Sequence, residues 1–269
     1  MVRDMRCDGG HDPLGGSGAA GLLLRAPDAR RQPLALLRRG GSLWGDLWGV
    51  PGGPHHSDET PAKAALRDAA NQAAVNPGRV RVRGTQVHRP GEAWSFTSVI
   101  ADATEPLPVR PQPAQLAWVP EDDVAGFDLH PAFAAAWPEL RVTEIGLVVD
   151  AANVVGSRPD GWWKDRAGAA ERLQRVVAAA GPGVFPRPQG GFGWVANPVL
   201  VLEGAAVTAS DVPGVEAVRA PGAGDDTIVD IVSVPGDWLV VTADRALRGR
   251  LPPHACAISP SAFLSWVSA

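Results

Sequence analysis

The sequence predicts two domains of mixed α and β structure in tandem, the second a doubly wound parallel sheet. Three observations lead there. The chain has 269 residues, enough for two cores of about 130 residues each. Its first half sets short strand-like runs around one Ala-rich helix. Its second half opens on the apolar run Glu144–Asp150 and then alternates strands with helices, the grammar of a parallel sheet. The expected division is a flexible tail at 1–18 and domains at 19–140 and 141–269, with the seam near Pro138–Val142.

Composition narrows the function classes. A hydrophobic content of 45% with 20% charged residues is that of an ordinary soluble globular protein. The net charge of −4 gives no global basic footprint, so any nucleic-acid contact would rest on a local patch. Cys7 and Cys256 are too few for a disulfide framework or a zinc cluster. No apolar run reaches the roughly 18 residues of a membrane span. Met1–Gly21 is charged and Gly-rich, unlike a signal peptide, so a cytoplasmic location is expected.

In order, Met1–Gly18 is a lead-in, followed by the strands GLLLRA and PLALLRR around a turn at Pro27-Asp28. A tight Pro51-Gly52-Gly53 turn then enters a polar loop ending at Glu59. The helix that follows starts near Pro61, with Thr60 ahead of a first-position proline and alanine inside. Val80–Val87 and Trp94–Ala101 alternate as strands, Gln115–Asp123 is a late strand with a Trp-Val-Pro turn, and Phe127–Leu140 is the closing helix, capped or packed by His130. Trp44, Trp48, Trp94 and Trp118 are expected as buried anchors, with Trp44 or Trp48 the candidates for stacking on a nucleobase.

Gly53, Glu59, Arg67, Asp68 and Val75 carry the first resemblance, to the Nudix box. That pattern runs Gly, five residues, Glu, seven residues, Arg-Glu, then Glu-Glu, Gly and an aliphatic residue. Here Asp68 replaces the first helical Glu, Asn71 and Gln72 replace the pair, and Ala74 replaces the last Gly. The resemblance implies a Nudix-like fold, an α/β/α sandwich on a mixed sheet, that binds a nucleotide, with Gly53 and Arg67 on the substrate side. Mg²⁺ prefers hard anionic oxygens, and Asn71 and Gln72 offer only neutral carbonyls. Glu59 and Asp68 remain as charged metal candidates, and a structural Glu59–Arg67 salt bridge is the expected use of that pair. The region before Trp118 also lacks the acid that family members commonly carry there.

In the second half, acids sit where strands end. Asp150 closes the first strand, Asn153 follows in its loop, Asp225 and Asp226 open a helix, and Asp244 follows WLVVT. Ligands of open parallel sheets bind beyond the carboxyl ends of the strands. Carboxylates gathered there repel one another unless a divalent cation lies between them. The helices are expected at Trp162–Ala180, Asp225–Val234 and Arg245–Gly249.

Asp150-Ala-Ala-Asn153, Gly224-Asp225-Asp226 and Val241-Thr242-Ala243-Asp244-Arg245 together resemble the NYN branch of PIN-like nucleases. The resemblance implies a Mg²⁺- or Mn²⁺-dependent hydrolase of RNA phosphodiesters. Asp150, Asp226 and Asp244 would hold the metal, Asp225 would be the alternate, and Asn153 would orient a ligand. Arg166 and Arg245 would contact substrate phosphates, within a rim that also includes Arg158, Lys164, Arg187, Arg248 and Arg250. Either Trp162 or Trp163 would stack on a base. Two alternatives stay open: hydrolysis of a nucleoside diphosphate derivative through Glu59 and Asp68, and a non-catalytic protein that binds a nucleotide or a partner.

Overall fold

The computed structural model describes residues 18–40, 46–56, 58–89, 95–108, 116–159 and 161–268. It divides into two compact units, the first holding Gln32–Arg141 with the strand before it and the second holding Val142–Ala269 with the short stretch Ala29–Arg31. The tail at 1–17, Trp44 and Trp94 lie outside the described residues.

The first unit is a seven-stranded mixed sheet made of β1 (Gly18–Pro27), β2 (Pro33–Arg39), β3 (Trp48–Gly49), β4 (Gly52–Pro54), β5 (Arg81–His88), β6 (Ser95–Asp102) and β7 (Leu116–Pro120), with α1 (Pro61–Ala73) between β4 and β5. The central order is β3-β2-β1-β6-β5, with β4 on β1 and β7 on β2. Only β1 and β6 run parallel; the other pairs are antiparallel. All ten residues of β1 are buried, so both faces of the sheet are covered there. On one face α1 packs Ala64, Ala65, Ala69 and Ala73 against Ala20, Leu22, Leu24 and Val99, and a face of alanines lets the helix lie close to the sheet. The helix starts as its sequence dictates, with the Thr60 side chain accepting from Lys63 N at 3.3 Å and Pro61 in the first turn. It ends at Ala74 in the left-handed region, φ 56°, a conformation that favours glycine, where the Nudix pattern places one.

On the other face Arg25 is fully buried. Its guanidinium donates to both oxygens of Glu121 at 2.9 and 2.7 Å and to the Leu140 carbonyl at 2.8 Å. Leu140 closes α2 (Pro131–Leu140), and the guanidinium also lies 5.9 Å from the Trp137 ring centroid, so one side chain fastens this helix to the sheet. The closing helix begins four residues later than expected, because residues before proline avoid helical geometry and Pro131 suits the first position. His130 is its cap, accepting from Ala132 N at 3.3 Å.

The second unit is built on β9 (Gly146–Asp150), β12 (Pro198–Leu202), β13 (Glu216–Arg219), β14 (Trp238–Val241) and β15 (Ala255–Ile258), in the order β13-β12-β9-β14-β15. Every pairing is parallel. One face packs α3 (Ala151–Gly156), α4 (Arg166–Ala180) and α7 (Pro260–Val267) on Leu147, Val149, Leu200 and Leu239. The opposite face packs α5 (Gly224–Val232) and α6 (Arg245–Arg250) on Val148, Val201 and Val240. Alternate residues of each strand thus feed alternate faces. Three short strands, β8 (Thr143–Glu144), β10 (Gly183–Pro186) and β11 (Phe192–Val195), form a separate sheet in the order β10-β11-β8.

Several expectations are corrected. The segment after Asp150, expected as a loop, is the helix α3, because the Asp150 side chain caps it by accepting from Asn153 N at 2.9 Å. Trp162–Lys164 is a 3₁₀ turn rather than the start of α4, which begins at Arg166 behind the Asp165 cap. Among the described residues no helix is long and apolar enough to cross a membrane.

Candidate functional site

Two clusters of acids answer to the sequence analysis, one in each unit. In the first, β4 brings Gly52 and Gly53 against β1 and against Asp68 and Gln72 in the carboxyl-terminal half of α1. A Cβ on Gly52 would lie 2.4 Å from the Ala20 carbonyl, so backbone excludes a side chain there, and one on Gly53 would lie 2.7 Å from an Asp68 oxygen and push that carboxylate aside. Arg67 reaches across this approach. It pairs with Glu59, donates to the Asp68 carboxylate at 3.2 and 3.3 Å, and donates to the Pro54 carbonyl at 2.9 Å. The His56 amide, 2.9 Å from Glu59 and the leading cause, holds the Glu59 carboxyl below its ordinary pKa, and Arg67 adds to the effect. Bonding to Asp68 and then Glu59 raises the Arg67 pKa in turn.

The two residues in place of the glutamate pair behave as their chemistry requires. Gln72 satisfies both backbone groups of one residue, accepting from Gly52 N at 3.1 Å and donating to Gly52 O at 2.8 Å. A glutamate could make only the first of these bonds. Asn71 is exposed. A divalent cation at the box would therefore meet two carboxylates already held by a guanidinium and an amide committed to backbone. Among the described residues no three His, Cys, Asp or Glu side chains are grouped to hold a metal ion, and the box does not fit one.

The second cluster lies at the carboxyl edge of the parallel sheet. There β9 and β14 are neighbours, and the chain leaves them toward opposite sides of the sheet, the switch point where such sheets place ligands. Asp150 Oδ2 accepts from Thr242 Oγ1 at 3.0 Å, and Asn153 Oδ1 accepts from Ala243 N at 2.8 Å, so the ends of β9 and β14 are laced together. Asp244 caps α6, accepting from Ala246 N at 2.7 Å and Leu247 N at 3.0 Å. Glu203 follows the last residue of β12 and accepts from Gly224 N, at the start of α5, at 2.6 Å.

These acids feel one another. Burial raises the Asp150 pKa most, with the charges of Glu203 and Asp225 adding to it. Burial also leads the rise at Asp225, followed by the charge of Asp244, with Glu203 and Asp226 contributing and Arg250 opposing. Asp226, expected as the metal ligand, faces elsewhere. Its side chain is 71% exposed and takes Arg250 at 2.5 Å. Successive helical residues point about 100° apart, and of the two Asp225 is the less exposed, 35% against 71%, with Arg250 reaching both. Glu203 escaped the sequence analysis although it follows an apolar strand directly, much as Asp244 does.

The remaining candidates separate into packed and free. Trp48 packs edge-on against Phe127, with centroids 5.2 Å apart, and serves as an anchor. Arg166 lies 5.4 Å over the Trp162 ring, while Trp163 is 57% exposed. Arg187 is drawn off the expected rim by Asp237 at 2.9 Å and Thr143 at 2.5 Å, and Arg250 by Asp226. Arg245 and Arg248 are exposed on α6.

The raised carboxyls make the second unit's stability depend on pH with a definite sign. Above the ordinary aspartate value of 3.8, folded Asp150 and Asp225 hold protons that the unfolded chain has released. Stability therefore falls as the pH climbs through that window. Asp225→Asn is expected to flatten the fall and to leave the neutral-pH melting temperature equal to or above wild type. The gain stays below about 1 kcal/mol, because solvent screens a partly exposed group. Thermal melting across pH checks this, and a lower neutral melting temperature contradicts it.

Residues 17–140 match the family model for the NUDIX domain. Over 144 residues, 50% of this chain, the sequence is 42% identical to "Putative 8-oxo-dGTP diphosphatase 3" of Mycobacterium tuberculosis. The match covers 66% of that protein, so the chain spans just under two thirds of its length. A "Nucleoside triphosphate pyrophosphatase/Nudix hydrolase fusion protein" of Bifidobacterium longum is 31% identical over 147 residues, 50% of this chain and 30% of that one. Among solved structures, a Nudix hydrolase from M. smegmatis, RenU, shares 44% identity over 46% of this chain and 83% of its own, with a TM-score of 0.44. Residues 17–140 are therefore a Nudix domain.

Proposed function

We propose that the protein hydrolyses phosphate esters, that its hydrolytic centre is the acid cleft of the second unit, and that this unit is an NYN/PIN-like nuclease acting on RNA phosphodiesters. The observation that carries this reading is the contrast between the clusters. In the box the two carboxylates are tied to Arg67, whereas at the sheet switch point burial, aided by the neighbouring charges of Glu203 and Asp244, raises the pKa of Asp150 and Asp225. Nudix hydrolases generally use divalent ions such as Mg²⁺ or Mn²⁺. In this chain the acid cleft has the hard oxygen donors such an ion takes, although no three of them converge as they stand. Asp150 and Asp225 are the residues to hold it. Bound there, the ion would supply charge neutralisation at the phosphate and an acidified water.

The chain's own residues set the rest. Thr242 and the Asn153 amide fix the Asp150 carboxylate, and the Ala243 amide fixes the Asn153 side chain. Arg245, Arg248 and Arg166 are exposed to receive phosphates, and exposed Trp163 offers a stacking face for a base. The Nudix unit binds a nucleotide with little or no turnover. Asp244→Asn is expected to abolish Mn²⁺-dependent RNA cleavage and leave the fold intact, since asparagine caps a helix as well as aspartate does. Unchanged cleavage sinks the assignment.

A second reading has one observation in its favour, the 42% identity to a protein named as a diphosphatase. In it, Glu59 and Asp68 support hydrolysis of a nucleoside diphosphate derivative once substrate draws Arg67 away. A substrate panel on Asp68→Asn separates the two, because only this reading loses diphosphate cleavage.

A further inference from the structure

We propose that the second unit carries a separate ligand site, a cavity between α3 and α4 that takes a small amphiphilic anion: one carboxylate or phosphate on an apolar body. The cavity has a volume of about 320 Å³, within the range of small-molecule sites. Val154, Leu173 and Val176 make its floor, and Arg158, Arg172 and Arg175 make its polar part. Helical spacing explains the arrangement, since Leu173 and Val176 recur on one face of α4 while Arg172 and Arg175 flank that face.

The chemistry of the lining selects the ligand. Arginine is the only polar side chain in it, so the site offers donors and no acceptors. Arg175 is engaged by Glu171 at 2.9 Å. Among the described residues Arg158 and Arg172 have no ion-pair partner, and a guanidinium fork matches a carboxylate or phosphate in two parallel bonds. The floor is aliphatic and has no polar group to read a nucleobase edge. An oxyanion head on an alkyl or aryl body satisfies both halves, whereas a free phosphate leaves the floor unfilled and an alcohol leaves the guanidiniums unpaired.

This inference does not rest on the nuclease proposal, because different residues of and around α3 (Ala151–Gly156) meet the two places. Asp150 and Asn153 lie at the acid cleft, and Val154 and Arg158 line the cavity.

The test is a fluorescence titration of the full chain with 1-anilinonaphthalene-8-sulfonate, followed by competition with octanoate, octyl phosphate, octanol and inorganic phosphate. Saturable binding is expected, displaced by octanoate or octyl phosphate and not by octanol or phosphate at equal concentration. Arg158→Glu with Arg172→Glu is expected to weaken binding at least tenfold, and Arg89→Glu, an exposed arginine of the first unit, to leave it unchanged. If the double variant fails to fold, Arg172→Glu alone and Val176→Trp, which fills the cavity, serve instead. Absent saturation, displacement by octanol as good as by octanoate, or binding indifferent to the reversals and the filling would each overturn the proposal.

Discussion

Asp150→Asn is expected to lower RNA cleavage by about 10²–10⁴-fold, the scale of removing a charged group that acts on the transition state. The fold should survive, for two reasons. Asparagine keeps the cap on α3 that Asp150 supplies through Asn153 N. Burial already disfavours the ionised Asp150 carboxyl, so losing the charge relieves a strain in the folded state. A variant with wild-type melting and no cleavage is the expected result. Full cleavage would remove Asp150 from the chemistry, and unfolding would make it a structural residue.

Arg25→Met is expected to destabilise the Nudix unit by about 3–5 kcal/mol, the cost of leaving a buried partner charged and uncompensated. Arg25 is fully buried and Glu121 is 4% exposed, so water cannot take over the lost interaction. The Leu140 carbonyl loses its donor in the same step, which loosens α2. Pairing the change with Glu121→Leu should restore much of the loss, because removing both charges leaves no orphan. Denaturant melts of the two single variants and the double variant measure this. Additive losses would show that the ion pair is not what fastens the helix.

Local signals explain most of what the sequence disclosed. The Gly53–Val75 spacing is set within one turn and one helix, so it identified the Nudix domain and placed Glu59 beside Arg67. Long-range partners left no such trace: Arg25 and Glu121 are 96 residues apart, and neither sits in a recognisable pattern. Strand ends were partly legible. Asp150 and Asp244 follow apolar runs and stand out, while Glu203 does the same after PVLVL and was passed over. The choice between Asp225 and Asp226 depends on the helical phase of α5, which two adjacent acids cannot reveal. Ser259 before Pro260 is a clear helix start, and the cap is realised in α7, where the Ser259 side chain accepts from Ala262 N.

The measurement that tests the central claim most directly follows bond cleavage by the wild type, Asp150→Asn and Asp68→Asn on two substrates side by side, with Mn²⁺. One is a mixed-sequence single-stranded RNA, and the other is a set of nucleoside diphosphate derivatives. RNA cleavage that disappears in Asp150→Asn and persists in Asp68→Asn is the predicted result. Diphosphate cleavage that is lost with Asp68 and indifferent to Asp150, with RNA untouched, would place the chemistry in the Nudix box and contradict the account.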